Sequence, residues 1–282
     1  MLNNQKLGDS RSQDYSEKFV NAGGVRTRYL EAGSGKPIIL IHGGGAGAES
    51  EGNWKNVIPY LAKEYRVIAM DMIGFGKTDK PDLLYSQDLR IKHLVDFVEV
   101  MGFDQKVSLI GNSMGGATAL GVSVERKDLV DSLVLMGSAG LVTELHDDLK
   151  PIVNYDFTRK GMINLIKALT NSSFEIEEKM VNTRFDFATD HETRKSYAAT
   201  MQWIRDQGGL YYDDDYIRQL KIPTLVVQGK DDKVVPISTA YKFLELITNS
   251  WGYFIPHCGH WAMIEHPTDF SKATMSFLSQ HK

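Results

Sequence analysis

Cysteine is almost missing from this chain, since Cys258 is the only one among 282 residues. A single thiol excludes an internal disulfide framework and is typical of a protein kept in a reducing compartment. The sequence also lacks any apolar run near the ~20 residues that a membrane-spanning helix needs. Residues 1–18 contain no apolar segment that resembles a secretory signal. We therefore expect a cytoplasmic protein.

A strong charge of either sign is missing as well. The 32 basic and 36 acidic residues are interspersed and leave a net charge of -4. This balance argues against a nucleic-acid surface and against a polybasic membrane patch. The sequence therefore favours a small molecule as the partner.

Short apolar runs that alternate with helical patterns dominate most of the chain. Residues 19–35 predict a β-hairpin around two glycines, and residues 89–101 predict a helix. Further strands are predicted at 37–42, 65–72, 106–111, 132–137, 223–229 and 251–256. This βαβ pattern predicts an α/β fold with a mainly parallel central sheet covered by helices.

The alternation stops between residues 141 and 216, where helical periods replace strand-like runs. So long a stretch exceeds an ordinary crossover. We expect a helical lid at 141–216, inserted into a core formed by 19–140 and 217–282, with a mobile tail at 1–18. Apolar lid residues, including Met162, Leu165 and Ile166, are candidates for the walls of a ligand pocket at the C-terminal edge of the sheet.

The stretch GNSMG places Ser113 between glycines, directly after a predicted strand and before a predicted helix. Glycine-flanked serine is common in plain turns. Strand, serine and helix in this order are also the pattern of a nucleophile elbow. A serine in that position needs a base and an oxyanion hole before it can react.

Two later segments offer partners for the serine, and each follows another predicted strand. Asp231 and Asp232 occur in GKDDKVVP, and His260 occurs in PHCGHW. One of the two aspartates could instead belong to a solvated turn. A metal site at His257 and His260 is not favoured, because acidic ligands at suitable spacing are missing. The order serine, aspartate, histidine matches a catalytic triad.

The segment HGGGAG, which follows the strand at 37–42, supplies backbone N–H groups that a developing oxyanion requires. An alternative is a dinucleotide fingerprint formed by Gly43, Gly45 and Ala48 with Asp71 as the ribose ligand, which would indicate a dehydrogenase. That alternative leaves GNSMG unexplained.

Together these motifs, and the loop DMIGFGKTD at 71–79, resemble the α/β-hydrolase superfamily. The resemblance implies a triad of Ser113, Asp232 and His260, with Asp231 left as a turn residue. It also implies an oxyanion hole formed by the N–H groups of Gly44 and Met114.

Within that superfamily, HGGGAG, GNSMGG, CGHW and a lid arginine resemble the meta-cleavage product hydrolases, and overall similarity leans toward members that accept an aryl group. The resemblance implies hydrolysis of a C–C bond in a 2-hydroxy-6-oxo-dienoate, with no metal and no organic cofactor, by a homodimer or larger homo-oligomer. It implies that substrate contacts come from Gly43, Gly45, Asn53, Asn112, Arg184 and Trp261. Asn53 could equally cap a helix before Trp54, Asn112 could cap the turn, and Trp261 could serve the core.

Arg184 shares a helical stripe with Ile176, Met180 and Ala188. A guanidinium on an apolar stripe could reach water, or could pair with Asp186 or Glu177. It could instead clamp the substrate carboxylate through two parallel hydrogen bonds. A carboxylesterase and a ligand-binding protein on the same scaffold remain alternatives. An ester of a neutral acid has no use for this arginine, and a ligand-binding protein would bind without turnover.

Overall fold

The computed structural model describes residues 15–281 and contains an eight-stranded sheet in the order β1-β2-β4-β3-β5-β6-β9-β10. The strands in these described residues are β1 (Ser16–Ala22), β2 (Val25–Ala32), β3 (Pro37–Ile41), β4 (Arg66–Met70), β5 (Val107–Asn112), β6 (Val130–Met136), β7 (Leu141–Val142), β8 (Leu210–Tyr211), β9 (Thr224–Gly229) and β10 (Ser250–Ile255). Strands β1 and β2 are antiparallel, and β2 joins β4 antiparallel. From β4 to β10 all pairs are parallel.

Helices cover the sheet because its central strands are buried on both faces. Every residue of β3, β5 and β9 is buried, as expected for parallel strands rich in Val, Ile and Leu. The helices are α1 (Ser50–Trp54), α2 (Ile58–Leu61), α3 (Gln87–Val100), α4 (Met114–Glu125), α5 (Lys150–Val153), α6 (Arg159–Leu169), α7 (Glu178–Thr189), α8 (His191–Gln207), α9 (Asp214–Ile217), α10 (Ile237–Leu246), α11 (Ala262–Glu265) and α12 (Pro267–Gln280). The predicted α/β fold is thereby confirmed, with strand ends within a few residues of their expected positions.

The first strand begins earlier than the sequence suggests. We expected a tail up to residue 18, but β1 starts at Ser16 and pairs with Glu31 of β2. Ion pairs explain the difference, because Glu17 contacts Arg28 at 2.6 Å and Lys18 contacts Glu31 at 2.5 Å. The remainder of the predicted tail, residues 1–14, lies outside the described residues.

The segment between β6 and β9 carries helices α5 to α9. Strands β7 and β8 near its two ends pair with each other, which the sequence analysis did not anticipate because two residues are too few to show alternation. Gly140 N–H donates to the carbonyl of Leu210 at 3.0 Å, and Tyr212 N–H donates to the carbonyl of Gly140 at 2.9 Å. The segment therefore leaves the core and returns to it at one place. None of the helices between residues 15 and 281 is long and apolar enough to cross a bilayer.

Candidate active site

Ser113 occupies a strained turn between β5 and α4. Its φ of 54° and ψ of −120° place a non-glycine residue in a region that such residues seldom adopt. A Cβ atom on Gly111 would lie 2.4 Å from the carbonyl oxygen of Gly115, and one on Gly115 would lie 2.3 Å from that of His42. Both flanking glycines are therefore required by close backbone approach, as the nucleophile-elbow interpretation predicts.

His260 and Asp232 meet at the carboxyl ends of β9 and β10. The Nδ1 atom of His260 lies 2.8 Å from Oδ2 of Asp232, and both side chains are almost completely buried. An N–H at Nδ1 that donates to the carboxylate leaves Nε2 as the nitrogen able to accept a proton. His260 and Ser113 line the same cavity. The geometry is that of a base oriented by an acid.

Asp231 points elsewhere, although it is adjacent in sequence. Its Oδ2 accepts a hydrogen bond from Nδ2 of Asn171 at 2.8 Å on the surface. Of the two aspartates, the structure thus brings Asp232 to the histidine.

Gln228 is a contact of this pair that the sequence analysis missed. Its Nε2 donates to Oδ2 of Asp232 at 2.9 Å and to the carbonyl of Val235 at 2.8 Å. The N–H groups of Val234 and Val235 both donate to Oδ1 of Asp232 at 2.9 Å. The available signal was one amide side chain in the otherwise apolar strand TLVVQG.

Gly137, directly after β6, was missed as well. Its φ is +49°, and a Cβ atom there would lie 3.0 Å from Nδ1 of His260 and 3.2 Å from Oδ2 of Asp232. A side chain at this position would press on the hydrogen bond between the two residues.

Gly44 and Met114 lie against each other on one side of the cavity. A Cβ atom on Gly44 would come within 2.7 Å of Cε of Met114. Within residues 15–281, neither backbone N–H donates a hydrogen bond to a protein acceptor. Two unpaired N–H groups at a cavity that holds the serine are suited to an oxyanion.

His42 holds the glycine segment in place. The N–H of Met72 donates to its Nε2 at 3.0 Å, so the ring proton is on Nδ1, which donates to the carbonyl of Gly43 at 2.7 Å. That carbonyl belongs to the same peptide unit as the Gly44 N–H, so the bond orients that donor. Burial lowers the pKa of His42, which favours the neutral ring that both contacts need.

Arg184 of α7 is a buried cation at the cavity. Its Nη2 donates to the carbonyl of Ala46 at 3.1 Å, and its guanidinium lies 4.6 Å from the centre of the Trp261 ring. Its Nε has no hydrogen-bond partner in the part of the chain that the structure describes. Burial lowers its pKa to about 10.

The two structural alternatives for Arg184, exposure to water and an ion pair with a nearby acid, are wrong. The side chain is 5% exposed, so it does not reach water. Among the described residues it forms no ion pair, either with Asp186 or with Glu177. Helix α7 begins only at Glu178, so Ile176 lies before it, and the buried stripe is formed by Val181, Arg184 and Ala188.

Asn53 and Asn112 both carry a buried Oδ1 atom that has no hydrogen-bond partner among residues 15–281. Asn53 lies inside α1, whose N-cap is Glu49, so the alternative that Asn53 caps a helix is wrong. Asn112 uses its Nδ2 to donate to the carbonyl of Met136 at 3.1 Å. Together with Gly43, Gly45 and Trp261, both asparagines line the cavity that Ser113, His260 and Arg184 share.

Aliphatic side chains form the rest of the cavity wall. They include Leu145, Leu149, Ile152, Val153, Met201 and Ile204. The candidates Met162, Leu165 and Ile166 are completely buried but do not line the cavity. The expectation that these three residues form the pocket wall is therefore wrong, because they pack into the core instead.

The carboxylate of Asp71 is occupied by contacts within the protein, and this argues against a dinucleotide site. Its carboxylate accepts hydrogen bonds from the N–H groups of Ser50 at 2.7 Å and Lys77 at 2.9 Å, and it pairs with Arg28 at 3.3 Å. Completely buried, it is not available to a ribose. Across the described residues, no group of three or more His, Cys, Asp or Glu side chains is arranged to hold a metal ion.

Comparison with known proteins agrees with this geometry. Residues 36–267 match the model of the alpha/beta hydrolase fold family. The chain is 68% identical over 281 residues to the 2-hydroxy-6-oxo-6-(2'-aminophenyl)hexa-2,4-dienoic acid hydrolase of Metapseudomonas resinovorans, which covers 99% of this chain and 97% of the relative.

Two solved structures are similarly close. A serine hydrolase involved in carbazole degradation superimposes with a TM-score of 0.89 at 69% identity, covering 94% of this chain and 99% of the other. The meta-cleavage product hydrolase of Pseudomonas fluorescens IP01 superimposes with a TM-score of 0.88 at 31% identity, covering 94% and 98%. The resemblance inferred from the motifs is confirmed: the chain belongs to the α/β-hydrolase family and, within it, to the meta-cleavage product hydrolases.

Proposed function

We propose that this protein hydrolyses the C5–C6 bond of 2-hydroxy-6-oxo-hexa-2,4-dienoates, the ring-fission products of aromatic degradation. The observation that carries the proposal is the buried guanidinium of Arg184, which forms no ion pair within residues 15–281 and lies in the cavity that also holds Ser113 and His260. A dienoate brings the carboxylate that this cation lacks, whereas a neutral ester does not. The 68% identical relative is named as a hydrolase of such a dienoic acid, which supports the same substrate class.

In this proposal Ser113, His260 and Asp232 act as nucleophile, base and orienting acid. The dienol first becomes a ketone when a proton moves to C5, and His260 transfers it. Ser113 then attacks C6 while His260 takes the hydroxyl proton, and the N–H groups of Gly44 and Met114 bind the oxyanion. The C5–C6 bond breaks with its electron pair on the C5 fragment, and this dienolate takes the proton that His260 holds and leaves as 2-hydroxypenta-2,4-dienoate. Water releases the acyl group from the serine as a carboxylic acid.

Arg184 binds the substrate carboxylate, and its Nε supplies a donor that the protein leaves unpaired. The free Oδ1 atoms of Asn53 and Asn112 accept hydrogen bonds from the substrate or from water bound with it. Gly43 and Gly45 leave room for the ligand, since a Cβ atom on Gly45 would lie 3.4 Å from Nη2 of Arg184. No cofactor is required.

The helical segment at 141–216 serves as the lid over the site, on the core formed by 19–140 and 217–282. Its aliphatic side chains offer an apolar wall to the C6 substituent, which suits an aryl group. A 2-aminophenyl substituent is the first choice, because the 68% identical relative is named for a substrate that carries this group.

We also propose a cytoplasmic protein that assembles as a homodimer or larger homo-oligomer. The sheet ends at β10, where Trp251 is 43% exposed and Tyr253 is 39% exposed. An edge strand with exposed aromatic rings is a suitable surface for self-association.

The test is a panel of ring-fission products with methyl, isopropyl, phenyl and 2-aminophenyl groups at C6. We expect kcat/KM to be highest for the aryl substrates. Turnover of p-nitrophenyl acetate without turnover of any dienoate would overturn the proposal in favour of an esterase. Tight binding of a dienoate without turnover would indicate a ligand-binding protein.

A further inference from the structure

We propose that Gln228 is a positioning residue, which sets the orientation of Asp232 and the share of its negative charge that reaches His260. The proposal rests on the proposed function, because it assigns Gln228 a part in the same serine chemistry. Gln228 belongs to β9, four residues before Asp232, and is 1% exposed.

The four hydrogen bonds on Asp232 divide evenly between its two oxygens. Oδ1 accepts from the N–H groups of Val234 and Val235, and Oδ2 accepts from Nε2 of Gln228 and Nδ1 of His260. A carboxylate offers about four acceptor positions. Asp232 is therefore fully occupied, and Gln228 shares one oxygen with the catalytic histidine.

This sharing has an electrostatic consequence. Negative charge that a donor from Gln228 engages is less available to stabilise a protonated His260. Gln228 also prevents the carboxylate from rotating, because the same nitrogen is held by the carbonyl of Val235 at 2.8 Å. The residue thereby favours the neutral imidazole that can accept the proton of Ser113, in the required orientation.

Other ionisable groups near the pair do not take this position. Asp231 points to Asn171, and Glu265 accepts the N–H groups of Asn171 and Gly259. The thiol of Cys258 contacts the carbonyl of Gly259. The guanidinium of Arg184 packs on the Trp261 ring and donates to the carbonyl of Ala46. Gln228 is therefore the side chain, besides His260, that donates to the Asp232 carboxylate within residues 15–281.

A role confined to folding would have different effects. Gln228 could merely tie the loop of Val235 to β9, in which case its loss would lower stability and leave the pH dependence of catalysis unchanged. Thr224 provides the matched control, because it lies in the same strand and is completely buried, and within residues 15–281 its hydroxyl donates only to the carbonyl of Ile222, at 3.1 Å.

The experiment compares Gln228→Met and Gln228→Leu, which remove the donor, with Thr224→Val and the wild-type enzyme. The pH dependence of kcat/KM is measured for a phenyl dienoate and for p-nitrophenyl acetate, together with Tm. For the Gln228 variants we expect kcat to fall about tenfold with little change in KM, and the acidic limb to move upward by about 0.5–1 pH unit for both substrates. Thr224→Val should lower Tm without moving the limb.

An unmoved acidic limb in a folded Gln228 variant would overturn the proposal. So would failure of both variants to fold, because Gln228 would then be needed for the structure itself. If the wild-type enzyme does not turn over the dienoate, the proposed function fails, but the ester profile still decides the role of Gln228. Loss of ester turnover in Ser113→Ala establishes that this profile reports on the triad.

Discussion

The guanidinium of Arg184 lies 4.6 Å from the centre of the Trp261 ring, which joins helix α7 to the residue that follows His260. The ring covers a face of the cation, as in other cation–π contacts. At the edge of the guanidinium, the Nε–H donates no hydrogen bond to any of the described residues. The contact thus stabilises a buried positive charge in the cavity while leaving a donor for a ligand.

Replacing Arg184 should separate dienoates from neutral esters. We expect Arg184→Gln to lower kcat/KM for a dienoate. The loss should correspond to about 1.5–3 kcal/mol of transition-state stabilisation, as when charge-assisted hydrogen bonds are removed. Turnover of p-nitrophenyl acetate should barely change. Arg194→Gln is the control, because Arg194 also lies 4.6 Å from an aromatic ring, that of Phe157, but is exposed. An unchanged ratio of the two activities would reject the carboxylate clamp.

Removing the hydroxyl of Ser113 should abolish C–C cleavage and spare the fold. The side chain of Ser113 contributes chemistry rather than packing, because no hydrogen bond within the described residues uses its Oγ. We expect Ser113→Ala to keep the wild-type Tm in thermal unfolding and to release no carboxylic acid from a dienoate. Wild-type turnover in this variant would contradict the assignment of the nucleophile.

The two adjacent aspartates should behave very differently. Asp232→Asn should lower kcat by roughly 10³–10⁴-fold, because an amide no longer selects the required tautomer of His260. Asp231→Asn should stay within about threefold of the wild type, since it disturbs only an exposed hydrogen bond. Steady-state kinetics on one substrate decides, and equal losses would refute the choice of Asp232.

A methyl group at Gly137 should lower kcat more than a methyl group at another glycine with a similar positive φ. Gly137→Ala adds a Cβ atom 3.0 Å from Nδ1 of His260 at a φ of +49°. Gly102→Ala has a similar φ of +59° but no neighbour within 4 Å. Both should lose about 1–2 kcal/mol of stability through backbone strain, and only Gly137→Ala should lower kcat. A parallel loss of kcat in Gly102→Ala would remove the argument from close approach.

Buried histidines should make the protein less stable in mild acid. Burial lowers the pKa of His93 from 6.5 to about 4. Its ring is neutral in the fold, because the Ile73 N–H donates to Nδ1 at 3.2 Å and Nε2 lies 2.8 Å from Oγ1 of Thr27. Between pH 6.5 and 4 the unfolded chain binds a proton at His93 that the native state does not bind. The contribution of His93 to the free energy of unfolding is therefore complete above pH 6.5 and is lost as the pH is lowered toward 4.

The free energy of unfolding should decrease by about 3 kcal/mol across this window from His93 alone. Urea unfolding at pH 7.5, 5.5 and 4.5 measures it. His93→Gln should start less stable and show a flatter dependence, with the residual slope due in part to His42. His191→Gln, at an exposed position, should keep the wild-type slope. An unaltered slope in His93→Gln would contradict the role of burial.

The sequence alone determined the features that depend on neighbouring residues. Strands such as TLVVQG are visible because a run of apolar, β-branched residues is a local property. The elbow at Ser113 is visible because its strand, its glycines and its helix are consecutive. The order of Ser113, Asp232 and His260 predicted that they converge, since parallel strands end at one edge of a sheet.

Only the tertiary structure decided how side chains from distant segments meet. The residues themselves did not decide which of Asp231 and Asp232 contacts His260. Two neighbouring positions in a turn direct their carboxylates differently, one to His260 and the other to Asn171. Nothing in the sequence showed that Arg184 forms no ion pair within residues 15–281, or that Gln228 approaches Asp232. Periodicity along a chain records which face of an element is buried, whereas the distance between two side chains depends on how those elements pack.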